Sequence, residues 1–241
     1  MNVDLKRPKM SHLVAEALES KIAEGELPVG SYLPTERDLM KTFGVGRPAV
    51  REAIFSLVKK GLVSTSSGRR AVVTNPSMSD VFGELDGIVR HLLKQEQSLE
   101  SLFKARTFLE TAVARHAAEV MDIGQLQALE KALADNRDAI GDRERFVQTD
   151  IAFHRILFAT LDNPVFDAVN DALVSWLRDR WVQMVRNEKS ERVAYEGHLA
   201  IFNATVDRNA DAAATAMSNH LNTSWSMWRR QLLEGRHNRK P

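Results

Sequence analysis

Leu33-Pro34-Thr35-Glu36-Arg37-Asp38-Leu39-Met40-Lys41-Thr42-Phe43-Gly44-Val45-Gly46-Arg47-Pro48-Ala49-Val50-Arg51 is the stretch on which the fold turns. Thr35 supplies an N-cap oxygen and Asp38 stands at the third helical position, a variant of the capping box, so a short helix is expected to about Phe43. Gly44-Val45-Gly46 then makes a tight turn. Pro48 suits the first turn of a further helix, where its missing N–H has no intrahelical partner, and that helix runs to Lys60 before Gly61 ends it. Upstream, Leu13, Ala17, Leu18 and Ile22 repeat at helical spacing until Gly25 and Pro28 stop them. Downstream, Leu62 to Thr65 and Ala71 to Thr74 read as strands of a hairpin whose tip, Ser66-Ser67-Gly68-Arg69-Arg70, is basic. Helix, helix, turn, helix and hairpin make a winged helix-turn-helix.

A helix enters the major groove when its exposed face carries donors that reach base edges and its N-terminus faces phosphate. Arg47 and Arg51, one turn apart, project from the side opposite Val50, Ile54, Leu57 and Val58, and the arginine fork pairs with guanine O6 and N7. Both are candidate base readers. Arg37, on the preceding helix, is expected to grip phosphate, Gly68 lets the backbone approach closely, and Arg69 reaches a phosphate or a minor groove, with Arg70 a weaker candidate. Charge agrees with this division of labour. Residues 1–76 carry 12 basic against 8 acidic side chains, residues 77–228 carry 16 against 23, and the tail from Arg229 carries five against one. A basic small domain beside an acidic larger one suits a nucleic-acid module joined to something that need not touch phosphate.

Asn75-Pro76-Ser77 is the expected linker, after which strand signals vanish. Helices are expected near 79–95, 99–120, 123–138, 142–160, 164–187, 190–207 and 209–233, with breaks at Asn163-Pro164 and Asp207-Arg208-Asn209. The expected class is mainly α: a winged helix-turn-helix over residues 1–76, an all-α helical bundle over 77–234 and a basic tail over 235–241. The absence of cysteine excludes disulfides and thiolate metal sites, and no apolar run approaches the roughly 18 residues that span a bilayer. With no signal-type segment at the N-terminus, a cytoplasmic protein is expected.

Within the bundle, four side chains that resist burial fall where the helical pattern asks for apolar ones. Phe146, Phe153 and Leu157 stand at offsets of four, three and seven from Asp150, so Asp150 and His154, one turn on, share their stripe. His198 lies between Ala194 and Ile201, and His220 between Met217 and Ser224, on two later helices. A buried carboxylate is costly unless a cation or strong donors compensate it. Three helices are therefore expected to converge on a divalent metal. Three imidazoles and one carboxylate suit Zn²⁺, with Ni²⁺ or Mn²⁺ as alternatives. Arg106, four residues after Leu102 and three before Leu109, also sits on an apolar stripe. It either faces a pocket and holds a small carboxylate, or pairs within its helix with Glu110, or snorkels at an edge.

Leu33 to Leu39, Phe43-Gly44-Val45 and Arg47 to Ala53, continued through Leu57, Gly61-Leu62-Val63 and Gly68, resemble the signature of the GntR family of bacterial transcription regulators. The resemblance implies that Arg37, Gly46, Arg47, Arg51, Gly68 and Arg69 contact operator DNA. The C-terminal part is similar to the FadR subgroup in its metal-binding FCD form, where an Asp, a His one turn later and two distant His hold a divalent ion. Asp150, His154, His198 and His220 match that pattern one for one, and the likeness favours zinc. A matching arginine in those domains holds an acidic ligand, which carries over to Arg106. Val45 to Pro48, Gly83-Glu84-Leu85, Asp150 to Leu157, Asn163-Pro164, Trp176 and His220-Leu221-Asn222 are also similar to regulators of sialic acid catabolism. N-acetylneuraminate is thus the leading implied ligand, with hexuronate, galactonate or another organic acid as alternatives. A homodimer on palindromic double-stranded DNA is expected, because one recognition helix offers too few base contacts, and repression relieved by ligand is the expected sign. The rival reading is a metal-dependent hydrolase or oxygenase. It asks for a positioned general base or a second metal, and the two Glu-x-x-His motifs of a di-iron centre are not present.

Overall fold

In a computed structural model, which describes residues 9–66, 70–183 and 187–237, the chain opens with α1 (Met10–Ala23), α2 (Glu36–Phe43) and α3 (Arg47–Lys59). Thr35 Oγ1 accepts the Asp38 backbone N–H at 3.2 Å, starting α2 as its sequence requires. Gly44 ends the helix in the left-handed region at φ 65°, a conformation that costs glycine nothing, and Gly46 caps α3 ahead of Pro48. The three helices close on one core that includes Leu18, Leu39, Val50 and Leu57, all at most 2% exposed.

Strands β1 (Val63–Ser64) and β2 (Val72–Val73) pair antiparallel, Val63 opposite Val73 and Ser64 opposite Val72. The hairpin is shorter than its hydrophobic pattern suggests, and β2 has a second neighbour. Gly30 N–H donates to Val73 O, Val73 N–H to Ser31 O and Leu33 N–H to Ala71 O, each at 2.8 Å, so residues 30–33 lie along β2 and form an isolated bridge between Tyr32 and Val72. No local sequence pattern marks that stretch, since its pairing partner lies some forty residues away. Gly68 and Arg69, at the expected tip, lie outside the described residues.

The remaining helices are α4 (Met78–Leu92), α5 (Glu96–Val120), α6 (Ile123–Asp138), α7 (Arg143–Ala159), α8 (Pro164–Gln183), α9 (Glu188–Val206) and α10 (Ala210–His237). Asp122 with Gln125, and Asn187 with Ser190, form reciprocal capping boxes at α6 and α9. Asp142 Oδ1 accepts from Arg145 N–H, Asn163 Oδ1 from Val165 N–H and Asn209 Oδ1 from Ala212 N–H, opening α7, α8 and α10. The breaks before α8 and α10 are sharpened by Asp162 and Arg208, both at positive φ. α10 runs through His237, into the segment read as a tail; residues 238–241 lie outside the described ones.

The chain divides into two compact units, residues 1–81 and 82–241, a boundary that falls inside α4. In the second unit α10 packs on α5 and α9, α6 on α7 and α9, and α7 on α8 and α5. One apolar cluster joins α5, α6, α7, α9 and α10; a second, aromatic one is built from Phe103, Leu177, Trp181 and Trp228. Among the described residues no helix is long and apolar enough to cross a membrane.

Candidate metal centre and nucleic-acid interface

α7, α9 and α10 bring Asp150, His154, His198 and His220 together, each at most 7% exposed, with one potential ligand atom from each within 4.8 Å of the others. His198 Nε2 lies 3.3 Å from His154 Nε2 and 3.5 Å from Asp150 Oδ1. Donors bound about 2.0–2.2 Å from one ion stand roughly 3 to 3.6 Å apart at adjacent coordination positions, so these separations fit a shared metal. The donor set fits as well. Burial lowers the His220 pKa well below its ordinary value, and the neighbouring His198 and His154 push it the same way against the opposing pull of Asp150. That keeps the imidazole neutral, which is the ligating form.

Two buried partners orient the rings, and the sequence reading assigned neither to the centre. Asn136 Oδ1 lies 3.0 Å from His198 Nδ1, while its amide nitrogen donates to Thr149 Oγ1 at 3.0 Å; this leaves His198 Nε2 facing the cluster. Glu110 Oε2 lies 2.6 Å from His154 Nδ1, and Oε1 accepts from Arg106 Nε at 2.5 Å. Burial pushes the Glu110 carboxyl up, but the Arg106 guanidinium beside it, with the adjoining His154 ring, outweighs that and holds the carboxyl well below the usual range. Both residues carried a legible signal. Asn136 follows Leu133 and Leu129 on a buried stripe of α6, and Glu110 precedes Val113 and Ala117 on that of α5.

Phe153 stacks on the His198 ring at 4.5 Å between centroids, filling the space behind it. Gly197 provides the opposite kind of support. A Cβ there would stand 2.4 Å from His220 Nδ1, so only glycine lets α10 lay that ring on the α9 backbone as it does.

Arg106 is buried, pairs with Glu110 and lies 4.9 Å from the Trp181 ring centroid, so the intrahelical alternative for it is realised. It also lines one pocket with Asp150, His220, Ser190, Thr223 and Ser224. The two readings are compatible, because the bond to Glu110 uses Nε.

In the first unit Arg37 is exposed on α2, and Arg47 and Arg51 project from α3 with side chains 65% and 66% exposed. Gly46 is exposed at the α3 N-cap. Arg47 Nε donates to Glu36 Oε2 at 2.7 Å and Arg51 Nε to Glu36 Oε1 at 3.0 Å. Hydrogen bonding from Arg47 is the largest influence on the Glu36 carboxyl and lowers its pKa against partial burial, with Arg51 adding to the effect. Arg70, the weaker candidate, is occupied: Nη2 donates to Leu33 O at 2.8 Å and the guanidinium lies over Tyr32.

Comparison with known proteins agrees with both units. Residues 11–73 match the family described as bacterial regulatory proteins, gntR family, and residues 101–223 match the FCD domain. The chain is 38% identical over 227 residues to the HTH-type transcriptional repressor NanR of Klebsiella aerogenes, covering 93% of this chain and 87% of that protein. It is likewise 38% identical over 226 residues to NanR of Cronobacter sakazakii, with the same coverage. Among solved structures a GntR protein of Streptococcus agalactiae superposes with a TM-score of 0.59 at 26% identity, over 91% of this chain and 99% of that one. McbR/YncC of E. coli, at 16% identity and a TM-score of 0.54 over 94% of this chain and 100% of its own, shares the fold. The two NanR relatives are named as transcriptional repressors, not as enzymes.

Proposed function

The chain belongs to the gntR family of bacterial regulatory proteins, with an FCD domain as its C-terminal half, and on that premise we propose that it is a cytoplasmic homodimeric repressor whose operator binding responds to a small acid held at a divalent metal. The observation that carries the sensing role is the convergence of Asp150, His154, His198 and His220 in a buried cluster beside a pocket. These four residues would hold the metal, with Zn²⁺ the leading candidate and Ni²⁺ or Mn²⁺ alternatives. A bound ion of this kind supplies a Lewis-acid centre for a carboxylate or hydroxyl oxygen. Arg106, whose Nε is already committed to Glu110, turns its remaining donors to the acid, and the hydroxyls of Thr223 and Ser224 suit a polyhydroxylated ligand. N-acetylneuraminate is the leading ligand, on the likeness to sialic acid regulators; a hexuronate or galactonate is the alternative.

In the reading head, Arg47 and Arg51 read bases, Arg37 and the Gly46 backbone hold phosphate, and Gly68 and Arg69 form the wing contact. Support for a dimer comes from α4. Phe82, Asp86 and Val89 turn towards α8, where Asp86 accepts from Ser175 at 2.9 Å, while Leu85, Ile88 and Leu92 stand 42%, 62% and 50% exposed on another face. A contiguous apolar stripe of this kind is what a second copy would cover. Ligand that binds two arrangements of the bundle unequally then shifts the spacing of two paired heads and releases the operator.

The test uses a duplex selected from a random pool by the full-length protein. Metal-loaded protein should release it when N-acetylneuraminate is added, and His154→Ala should bind the same duplex yet ignore the ligand. A His154→Ala protein that still responds, or elemental analysis finding no bindable divalent ion, would refute the sensing role.

A further inference from the structure

The Glu36 carboxylate spans the two arginines assigned to base reading, one oxygen to each, 11 and 15 residues away in sequence. We propose that Glu36 is the positioning residue of the reading head: it sets both guanidinium groups for guanine recognition without touching a base itself. This rests on the assignment of Arg47 and Arg51 made above.

Two exposed guanidinium groups one helical turn apart repel each other and, left alone, sample many rotamers. A carboxylate between them removes both problems, since it neutralises one of the two charges and ties each group at a single nitrogen. The choice of nitrogen matters. Both bonds use Nε, and among the described residues no acceptor takes an Nη hydrogen of either arginine, so the Nη edges remain for the two-toothed bond to guanine O6 and N7. Glu36 is itself held: it is the first residue of α2, directly after the Thr35 cap, and only 31% of its side chain is exposed. The low pKa of its carboxyl agrees with a group charged throughout the physiological range. An acidic side chain at a DNA-facing surface would otherwise only repel phosphate. Here the same charge preorganises the cations around it, so less side-chain entropy is lost when bases are engaged.

The experiment compares wild type, Glu36→Gln, Arg47→Ala and the double variant, all as full-length protein, on the selected duplex and on single base-pair variants of it. Affinity for an unrelated duplex and the thermal midpoint are read alongside. If Glu36 positions the arginines, Glu36→Gln keeps its thermal midpoint and binds the unrelated duplex at least as well, while its preference for the selected sequence falls by roughly tenfold, within what one bidentate contact supplies. In the Arg47→Ala background the same change costs much less. Equal tightening on every duplex, with preference kept, would mean that Glu36 merely repels phosphate, and the inference falls while base reading by Arg47 stands. Preference retained in Arg47→Ala would sink the base-reading assignment and this inference with it.

Discussion

At the residue scale, the histidines of the centre depend on neighbours that hold no metal themselves. Asn136 Oδ1 stands 3.0 Å from the outward nitrogen of His198 and Glu110 Oε2 2.6 Å from that of His154, positions from which each would steady its ring. Glu110→Gln and Asn136→Ala should each weaken metal affinity by roughly 10–100-fold with little change in helix content, measured by competition with a chromophoric chelator. An affinity within about twofold of wild type would show that the rings are held by packing alone. The histidine cluster also carries a pH signature. The His220 pKa is lowered, so its neutral, ligating form persists as pH falls through the value at which an exposed histidine takes up a proton. Acidification to about pH 6.5 should accordingly not release the metal through protonation of His220, as followed by elemental analysis after equilibrium dialysis. Release already complete near pH 7 would contradict that direction.

At the element scale, the close meeting of α9 and α10 is the feature most exposed to a single methyl group. Gly197→Ala would place a Cβ within 2.4 Å of His220 Nδ1, and either that ring or α10 must shift. Metal affinity should drop while secondary structure is retained, and unchanged binding would mean that the ring has another place to go. The α4 stripe makes a separate prediction. Ile88→Glu sets a charge in the middle of the exposed apolar face, so a dimer built on that face should run as a 27.1 kDa monomer in light scattering. Persistence of the dimer would move the interface elsewhere. Elements were the most legible level in the sequence, because their signals are local. Thr35, Asp122 and Asp142 cap helices where a short polar side chain precedes an amphipathic run, and Asn163-Pro164 opens α8 at the expected break. The pairing of residues 30–33 with β2 was not legible in the same way, since its partner lies some forty residues away.

At the scale of the whole molecule, two units with separate cores are expected to unfold as separate transitions, and only the second should answer to metal. Removing the ion with EDTA should lower that transition alone; saturation at 100 times the dissociation constant corresponds to about 2.7 kcal/mol of stabilisation. A shift of both transitions together would mean that the units unfold as one. The amino-acid order by itself determined where helices lie to within a few residues at their ends, which residues line their buried faces, and that one aspartate and three histidines occupy core positions, because helical periodicity and capping act over a few residues. Only the tertiary structure decided which polar groups meet: Glu110 with His154 and Asn136 with His198 in the buried centre, and Glu36 with Arg47 and Arg51 on the exposed face of the first unit. Those pairings join distant segments, and their geometry follows from how helix faces pack, a property that no local pattern contains.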